Sequence, residues 1–372
     1  MPQLSRATHS WVGVDDRDDR ASGEPATAGG EQTATLPFPP PTAALDDPSA
    51  FDSLLGPSNG RYFGSGYRRV RHRVKELSIH RGPDGSLLVT ALGAAAYPAD
   101  WSAGGDGALR LPHLSTIDAI VLAVTAAEAY LRSVDGLGDS EIAHVWIADI
   151  DIRAGAVPWD LLDAIPVKCS RTAHEAVPGG MESTFTSRIA AMTVVLRVRT
   201  APTARTILQS REPYSRAPFK IVPGPLTDGY RHATHPVSLE SITPSDSIVM
   251  HARHGVRAGG ADAYAGLEGA YWPSATIIDC LVVSSQMAQA LIFAAPGLNR
   301  SSVSNLWMRR ARFTATVPPA QADVENVALR IVRSKSFARG EEGTLNSVDV
   351  ECPELFGFAA SASLAFTVQA ST

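Results

Sequence analysis

Lysine is almost missing from this sequence. Of 33 basic residues only Lys75, Lys168, Lys220 and Lys335 are Lys, and the rest are Arg. With abundant Ala, that bias points to a GC-rich bacterial genome. Cysteine is equally sparse: Cys169, Cys280 and Cys352 are scattered, with no CxxC pair. Such an odd set argues against a disulfide framework and fits a reducing cytosol. The N-terminus, "MPQLSRATHSWVGVDDRDDR", has no apolar segment of the kind a secretory signal carries, so a cytoplasmic protein is expected. Positive charge is not in excess. The formal net charge of −5 gives no reason to expect a nucleic-acid partner. The longest apolar runs are short and carry Asp118, Glu128 and Asp279, so no membrane span is expected. There is no GxSxG, Walker loop, HExxH or GxGxxG, and no cofactor is implied. His232/His235 and His251/His254 each read HxxH, but on a strand a spacing of three points the rings to opposite faces. Neither pair is therefore expected to bind metal.

What is present is a duplication. "GYRRVRHRVKELSI" at Gly66–Ile79 returns as "GYRHATHPVSLESI" at Gly229–Ile242, with seven of fourteen positions identical. Further on, Pro112–Pro158 and Pro273–Pro319 align without gaps at a shift of 161, with twelve identities that include Ile117/Ile278, Asp118/Asp279, Trp146/Trp307 and Ala154/Ala315. A chain of 372 residues, 44% hydrophobic, is long enough for two domains and two sizeable cores. Residues 1–48 are rich in Gly, Pro, Ala, Thr and Asp and are expected to be a disordered arm. Repeats are expected over 49–205 and 206–372, with a junction near 205.

Each repeat runs β-type segments, then one apolar helix, then more β-type segments. The helices are expected over Thr116–Leu131 and Ile277–Ala294. Both are apolar nearly all round, which means burial on most sides. A buried helix wrapped by an antiparallel sheet is the hotdog arrangement, so the expected class is α+β and the architecture a double hotdog.

Read as a strand, the GYR segment puts Arg69, Arg71, Arg73 and Lys75 on one face and Arg68, Val70, His72 and Val74 on the other. The second copy's inner row is Arg231, Ala233, His235 and Val237. A buried His among apolar neighbours stays neutral and suits a general base; a core His satisfied by one carbonyl is the plainer reading. Ser115-Thr-Ile-Asp118 and Thr276-Ile-Ile-Asp279 fit the capping box, which alone would explain both Asp residues. The functional alternative is an acid or base at the first turn of a buried helix. The outward Arg/Lys stripe is either a solvated face or a docking patch for an acidic carrier protein or a phosphopantetheine phosphate. Cys280 has Ala119 as its counterpart and reads as structural. His113 and Glu268 each occur in one half only and nothing in the sequence assigns them a role.

The run "FDSLLGPSNGRYFGSGYRRVRHRV", with "HLSTIDAIVLA" beyond it, resembles the avirulence protein D (AvrD) family over most of residues 50 to 370. The resemblance implies an enzyme of small-molecule signal synthesis, making syringolide-type acyl glycosides from a 3-oxoacyl thioester and a pentulose. It is also similar to A-factor-type hotdog synthases and, more distantly, to polyketide dehydratases. The dehydratase pattern is not met: Asp279 lies six residues after Pro273, and Trp272 stands where that family has His. The expected function is therefore transfer of a 3-oxoacyl group, from coenzyme A or an acyl carrier protein, to a small sugar or polyol. Dehydratase or thioesterase action is one alternative, and a non-catalytic acyl-binding module is another. His235, His72, Asp118 and Asp279 are the candidate catalytic residues. Arg68, Arg231, Tyr67 and Tyr230 are the candidate substrate contacts. Because fused hotdogs place sites where the halves meet, His72 is expected to approach Asp279, and His235 to approach Asp118. A monomer or homodimer is expected.

Overall fold

The computed structural model describes residues 49–82, 85–102, 109–200, 221–257, 263–295, 298, 303–321, 325–339 and 343–368. The expected arm and the expected junction lie outside these residues. No helix among them is long and apolar enough to cross a membrane.

The first half opens with α1 (Ser49–Leu55), followed by the hairpin β1 (Arg71–Arg81) and β2 (Leu87–Ala96). Next come α2 (Thr116–Ser133), a short α3 (Asp139–Ala143), β3 (Trp146–Arg153), β4 (Ile165–Val177), β5 (Gly180–Ile189) and β6 (Met192–Thr200). The second half begins with β7 (Ala233–Thr234), β8 (Val237–Thr243), β9 (Ser247–Ala252) and β10 (Gly255–Val256). It continues through α4 (Ile277–Phe293), β11 (Val303–Thr314), β12 (Glu325–Ala338), β13 (Thr344–Leu355) and β14 (Phe358–Val368). Twelve strands form one antiparallel sheet in the order β1-β2-β4-β5-β6-β3-β11-β14-β13-β12-β9-β8, while β7 and β10 pair as a separate ribbon. Read from either edge, the order of equivalent strands is the same. Each helix packs on the strands of its own half, α2 on β1, β2, β4, β5 and β6, and α4 on β9, β12, β13 and β14. This is an α+β double hotdog.

The halves join where β3 pairs with β11. Asp151 lies opposite Arg312, with Ile152 opposite Ala311 and Ile150 opposite Phe313. Asp151 and Arg312 are also equivalents at the repeat shift of 161. A pseudo-twofold axis therefore passes through that pair. On its outer face the seam joins acids of the first half to arginines of the second. Arg310 grips both oxygens of Asp151 at 2.9 and 2.7 Å, and Arg312 reaches Asp149 at 2.7 Å.

Both central helices start where the capping boxes place them, with Ser115 and Thr276 as N-caps. Their apolar residues are buried on nearly every side, and each large one contributes about 1.5–3 kcal/mol. The two cores expected from length are one continuous cluster, because the seam strands carry Ile147, Ile150, Ile152, Ala311 and Phe313 inward from both halves.

Three expectations fail locally. The GYR segments are not strands: Gly66–Arg69 and Gly229–Arg231 are 3-10 turns. A Cβ on Gly66 would lie 2.1 Å from the Trp101 carbonyl oxygen, and one on Gly229 would lie 2.8 Å from the Trp272 ring, so close packing, not strand pairing, requires these glycines. Strand alternation begins at Arg71; Arg71, Arg73 and Lys75 face outward and His72 and Val74 inward. Of the run "IAHVWIADIDI", whose composition reads as one β-type segment, Ile142 and Ala143 belong to α3. Strands β4 and β13 were not expected from the pattern. Beyond Ser170, β4 runs largely exposed and loses the alternation that marks a strand.

Candidate active site

Each capping-box aspartate does two jobs with its two oxygens. Asp118 Oδ2 accepts the Ser115 N–H at 2.7 Å, and Oδ1 meets His72 Nε2 at 2.7 Å. Asp279 Oδ2 accepts the Thr276 N–H and Oγ1–H, each at 2.7 Å, and Oδ1 meets His235 Nε2 at 2.9 Å. The aspartates are fully buried, and the His72 and His235 side chains are 2% and 4% exposed. The cap and the His partnership are thus not alternatives.

The expected crossing of His and Asp does not occur. His72 bonds the aspartate of its own half, and so does His235. The reason is local: each His sits at the start of the strand pair that covers its own helix. What crosses is the tyrosine. Tyr67 and Tyr230 stack on each other at 6.2 Å between centroids, and both hydroxyls are buried without a hydrogen-bond partner among the described residues. Burial pushes both phenols well above the usual range. The neighbouring Arg opposes this, Arg68 at Tyr67 and Arg231 at Tyr230. The far half's aspartate, Asp279 for Tyr67 and Asp118 for Tyr230, adds to it. Each site therefore lies within electrostatic reach of the other half's GYR turn. Arg68 lies over the Tyr67 ring at 4.9 Å and donates to Gly64 O at 3.3 Å. Arg231 pairs with Asp228 at 2.8 Å.

The surroundings of the two pairs differ. In the first half the Tyr97 hydroxyl also donates to Asp118 Oδ2, and the Tyr62 hydroxyl bonds Ser115 Oγ at 2.6 Å. The rings of Tyr62, Tyr97 and Trp101 pack together, and burial, then the Asp118 charge, pushes both phenols well up. Asp118 is thereby enclosed by aromatic side chains.

In the second half, Gly255 pairs with Thr234, which brings His254 beside His235, 5.8 Å between ring centroids. The first-half residue across from His72 is Ala95. His254 lies 3.0 Å from the Pro273 carbonyl through Nε2, which donates, while its Nδ1 is buried without a partner. Burial lowers His235; the Asp279 hydrogen bond opposes this, and His254 and Arg68 add to the lowering. At Asp279 burial would raise the carboxyl, but the His235 bond, the nearby His254 and the Thr276 cap outweigh it and hold it at about 2. The pair thus consists of an ionised carboxylate and a neutral imidazole, the resting state of a general base held by an acceptor. The members of each HxxH pair take different partners, His232 near Asp228 and His251 near Glu240, while the other member of each meets at Asp279. His235, His254 and Asp279 place one donor atom apiece within 4.8 Å of one another, a set able to hold a divalent cation.

Tyr97 and Tyr62 were not singled out by sequence reasoning, and His254 was set aside with its HxxH pair. The only available signal was register, since His254 is the cross-strand neighbour of His235. His113 lies between Trp101 and Trp307, at 5.9 and 5.6 Å. Glu268 is 1% exposed in a left-handed backbone conformation and ties the halves by accepting the Ile147 N–H at 3.0 Å. Burial pushes it up to about 8. The Cys280 thiol is buried against Leu355 O at 3.3 Å and far above the usual range, which is a structural placement. Arg71, Arg73 and Lys75 line β1, an edge of the sheet, where charge discourages edge-to-edge pairing; Arg69 turns instead to Asp100 at 2.8 Å.

Residues 48–368 match the model of the family described as Pseudomonas avirulence D protein (AvrD). Among curated proteins none matches the sequence. Similar solved structures include a tesB protein of Mycobacterium avium subspecies paratuberculosis, at 12% identity and TM-score 0.35, covering 79% of this chain and 96% of that one. An acyl-CoA thioesterase II, TesB2, of Mycobacterium marinum follows at 9% and 0.33, covering 80% and 97%. The dehydratase domain of RzxB from Pseudomonas fluorescens stands at 14% and 0.32, covering 78% and 96%.

Proposed function

The chain belongs to the AvrD family, and from that premise we propose that it is a biosynthetic enzyme that joins a 3-oxoacyl thioester to a small sugar or polyol. The observation that carries this reading is the neutral His235 held by ionised Asp279 at the first turn of a buried helix. In the proposed step His235 takes the proton from an acceptor hydroxyl. The oxygen attacks the thioester carbonyl, whose developing negative charge faces the positive end of α4. The C–S bond then breaks, and the thiolate leaves with the proton returned by His235. Asp279 stays ionised throughout, orienting the imidazole through Oδ1 and capping the helix through Oδ2. Arg68 and Arg231 are proposed to hold a polar or phosphorylated end of a substrate, with Tyr67 and Tyr230 beside it. The thioester donor is proposed to be a coenzyme A or acyl-carrier-protein conjugate.

The same base could activate water in place of a sugar, which is the thioesterase reading, or withdraw a proton beside the carbonyl for loss of water. One assay separates these. Purified protein is given a 3-oxoacyl thioester with and without a panel of sugars and polyols, and products are followed by mass spectrometry. Thiol release that depends on the acceptor, with an acyl ester formed, is the expected result. Thiol release without an acceptor, or loss of water, would assign the alternatives. Binding without turnover would make the chain a non-catalytic acyl-binding module.

A further inference from the structure

Asp279 has a second histidine beside it, and Asp118 does not. His235 Nε2 lies 2.9 Å from Asp279 Oδ1, while Oδ2 is taken by the Thr276 N–H and Oγ1–H. His254 completes the group from the residue before β10. Its Nε2 lies 3.0 Å from the Pro273 carbonyl, which can only accept. In the neutral ring the proton must then sit on Nε2, which leaves the lone pair on Nδ1. That Nδ1 is buried with no hydrogen-bond partner among the described residues. A buried acceptor left without a donor is costly. A single donor hydrogen would satisfy this nitrogen alone, whereas a cation would satisfy all the lone pairs that converge here. One donor atom from each of His235, His254 and Asp279 lies within 4.8 Å of the others, and among the described residues no second set of His, Cys, Asp or Glu gathers in this way. In the first half Ala95 stands across from His72, and the further contact to Asp118 is a phenol, Tyr97, which donates.

The donors also choose the ion. Two imidazole nitrogens and one carboxylate oxygen suit a borderline transition ion such as Zn²⁺, whereas Ca²⁺ and Mg²⁺ take oxygen ligands. At bond lengths of about 2.0–2.2 Å, tetrahedral donors stand roughly 3.3 Å apart, so the His235–Asp279 contact of 2.9 Å needs to open by only about 0.4 Å. His254 is the part that can swing in, because β7 and β10 pair over two residues each, apart from the main sheet. The supports of a metal site are in place. The Pro273 carbonyl holds the far nitrogen of His254, and the Thr276 cap holds the far oxygen of Asp279. The Phe356 ring, 6.5 and 6.0 Å from the two imidazoles, walls the group on an apolar side.

We propose that His235 Nε2, His254 Nδ1 and Asp279 Oδ1 form a site for one divalent transition-metal ion per chain, Zn²⁺ fitting best, and that the second half alone has it. An ion on His235 Nε2 moves that ring's proton to Nδ1, so the ring can no longer take one from an acceptor hydroxyl. The ion is therefore an inhibitor, a consequence that rests on the reading given under Proposed function.

The test uses the untagged full chain and Co²⁺, whose visible absorption reports four-coordinate ligation, with Zn²⁺ as competitor. One equivalent of Co²⁺, displaced by one of Zn²⁺, is expected. His254→Ala should weaken Co²⁺ binding at least tenfold. His254→Gln, which keeps a donor for the Pro273 carbonyl, should do the same with the melting temperature held. His251→Ala, at a histidine that neighbours Glu240 instead, should bind like wild type. Absence of the four-coordinate bands, or wild-type affinity in folded His254→Gln, would overturn the proposal. So would an equal loss in His251→Ala, which would assign the binding to surface histidines. The binding assay is independent of turnover. Zn²⁺ should also abolish acceptor-dependent thiol release, and a chelator should restore it. An ion that binds at this site yet raises turnover would sink His235 as the free base and leave the site standing. Turnover in a chain that binds no ion would do the reverse.

Discussion

The two halves have kept one dyad and changed what surrounds it. Asp118 is engaged by His72, by the Ser115 amide and by the Tyr97 hydroxyl, with Tyr62 and Trp101 packed alongside. Asp279 bonds His235 and its own cap residue, and has His254 beside it where the first half has Ala95. A His–Asp pair at a helix start is therefore not in itself a mark of chemistry. In the first half aromatic side chains enclose it, and in the second a further histidine stands beside it.

The comparison breaks most sharply on activity. His235→Ala should lower kcat/KM by roughly 10²–10⁴-fold with the fold intact, as expected for loss of a general base. His72→Ala should leave turnover within a few-fold of wild type and show mainly as a lower melting temperature. Equal losses in both variants would mean that both pairs work.

Glu268, which belongs to the second half, should dominate the pH dependence of stability. Its folded value near 8 lies above the ordinary 4.5, so its contribution is complete below 4.5 and is lost as pH rises toward 8. Asp279, held at about 2, acts in the opposite sense and only in acid, below its ordinary 3.8. Melting temperature should thus fall between pH 5 and 8, and Glu268→Gln should flatten that fall. An unchanged slope in the variant would exclude a buried proton at this position.

Next in size, Asp118→Ala should cost more than an ordinary cap. The cap itself is worth about 1 kcal/mol, and His72 and Tyr97 would also lose their buried acceptor, at about 1–3 kcal/mol each. Urea denaturation measures the total, and activity should change little.

The smallest effect tests reach across the seam. Burial, with His254 and Arg68, keeps His235 below its ordinary 6.5, so the acid limb of the kcat/KM profile should lie below pH 6.5. Arg68→Met, in the other half, should move that limb upward. A limb that stays in place would confine each site to its own half.

Much of this was written in the chain. The capping boxes and the all-round apolar pattern located both helices, and the shift of 161 marked the duplication that the strand order repeats from either edge. The repeated Gly-Tyr-Arg…His segment now has a reason at each place. Gly66 and Gly229 admit no Cβ, Tyr67 and Tyr230 stack on one another, the arginines lie by those rings, and the histidines hold the helix-start aspartates. Reading the segment as a strand failed because alternation and a 3-10 turn cannot be told apart over four residues. The crossing of His and Asp was misjudged because sequence fixes which residues share a face, not which helix that face meets. His254 was set aside with its HxxH pair because only the pairing of β10 with β7 brings it to His235. The polar stretch of β4 carries no periodic signal at all.

The seam has a consequence for assembly. Asp149 and Arg310 occupy equivalent places in the two repeats, as do Asp151 and Arg312. Two copies of the first half set across this ladder would face acid with acid, and two copies of the second would face arginine with arginine. Only the mixed pairing sets opposite charges together at these four positions. The ladder therefore favours unlike halves over like halves across the seam, so part of the choice of partner is written into its charges.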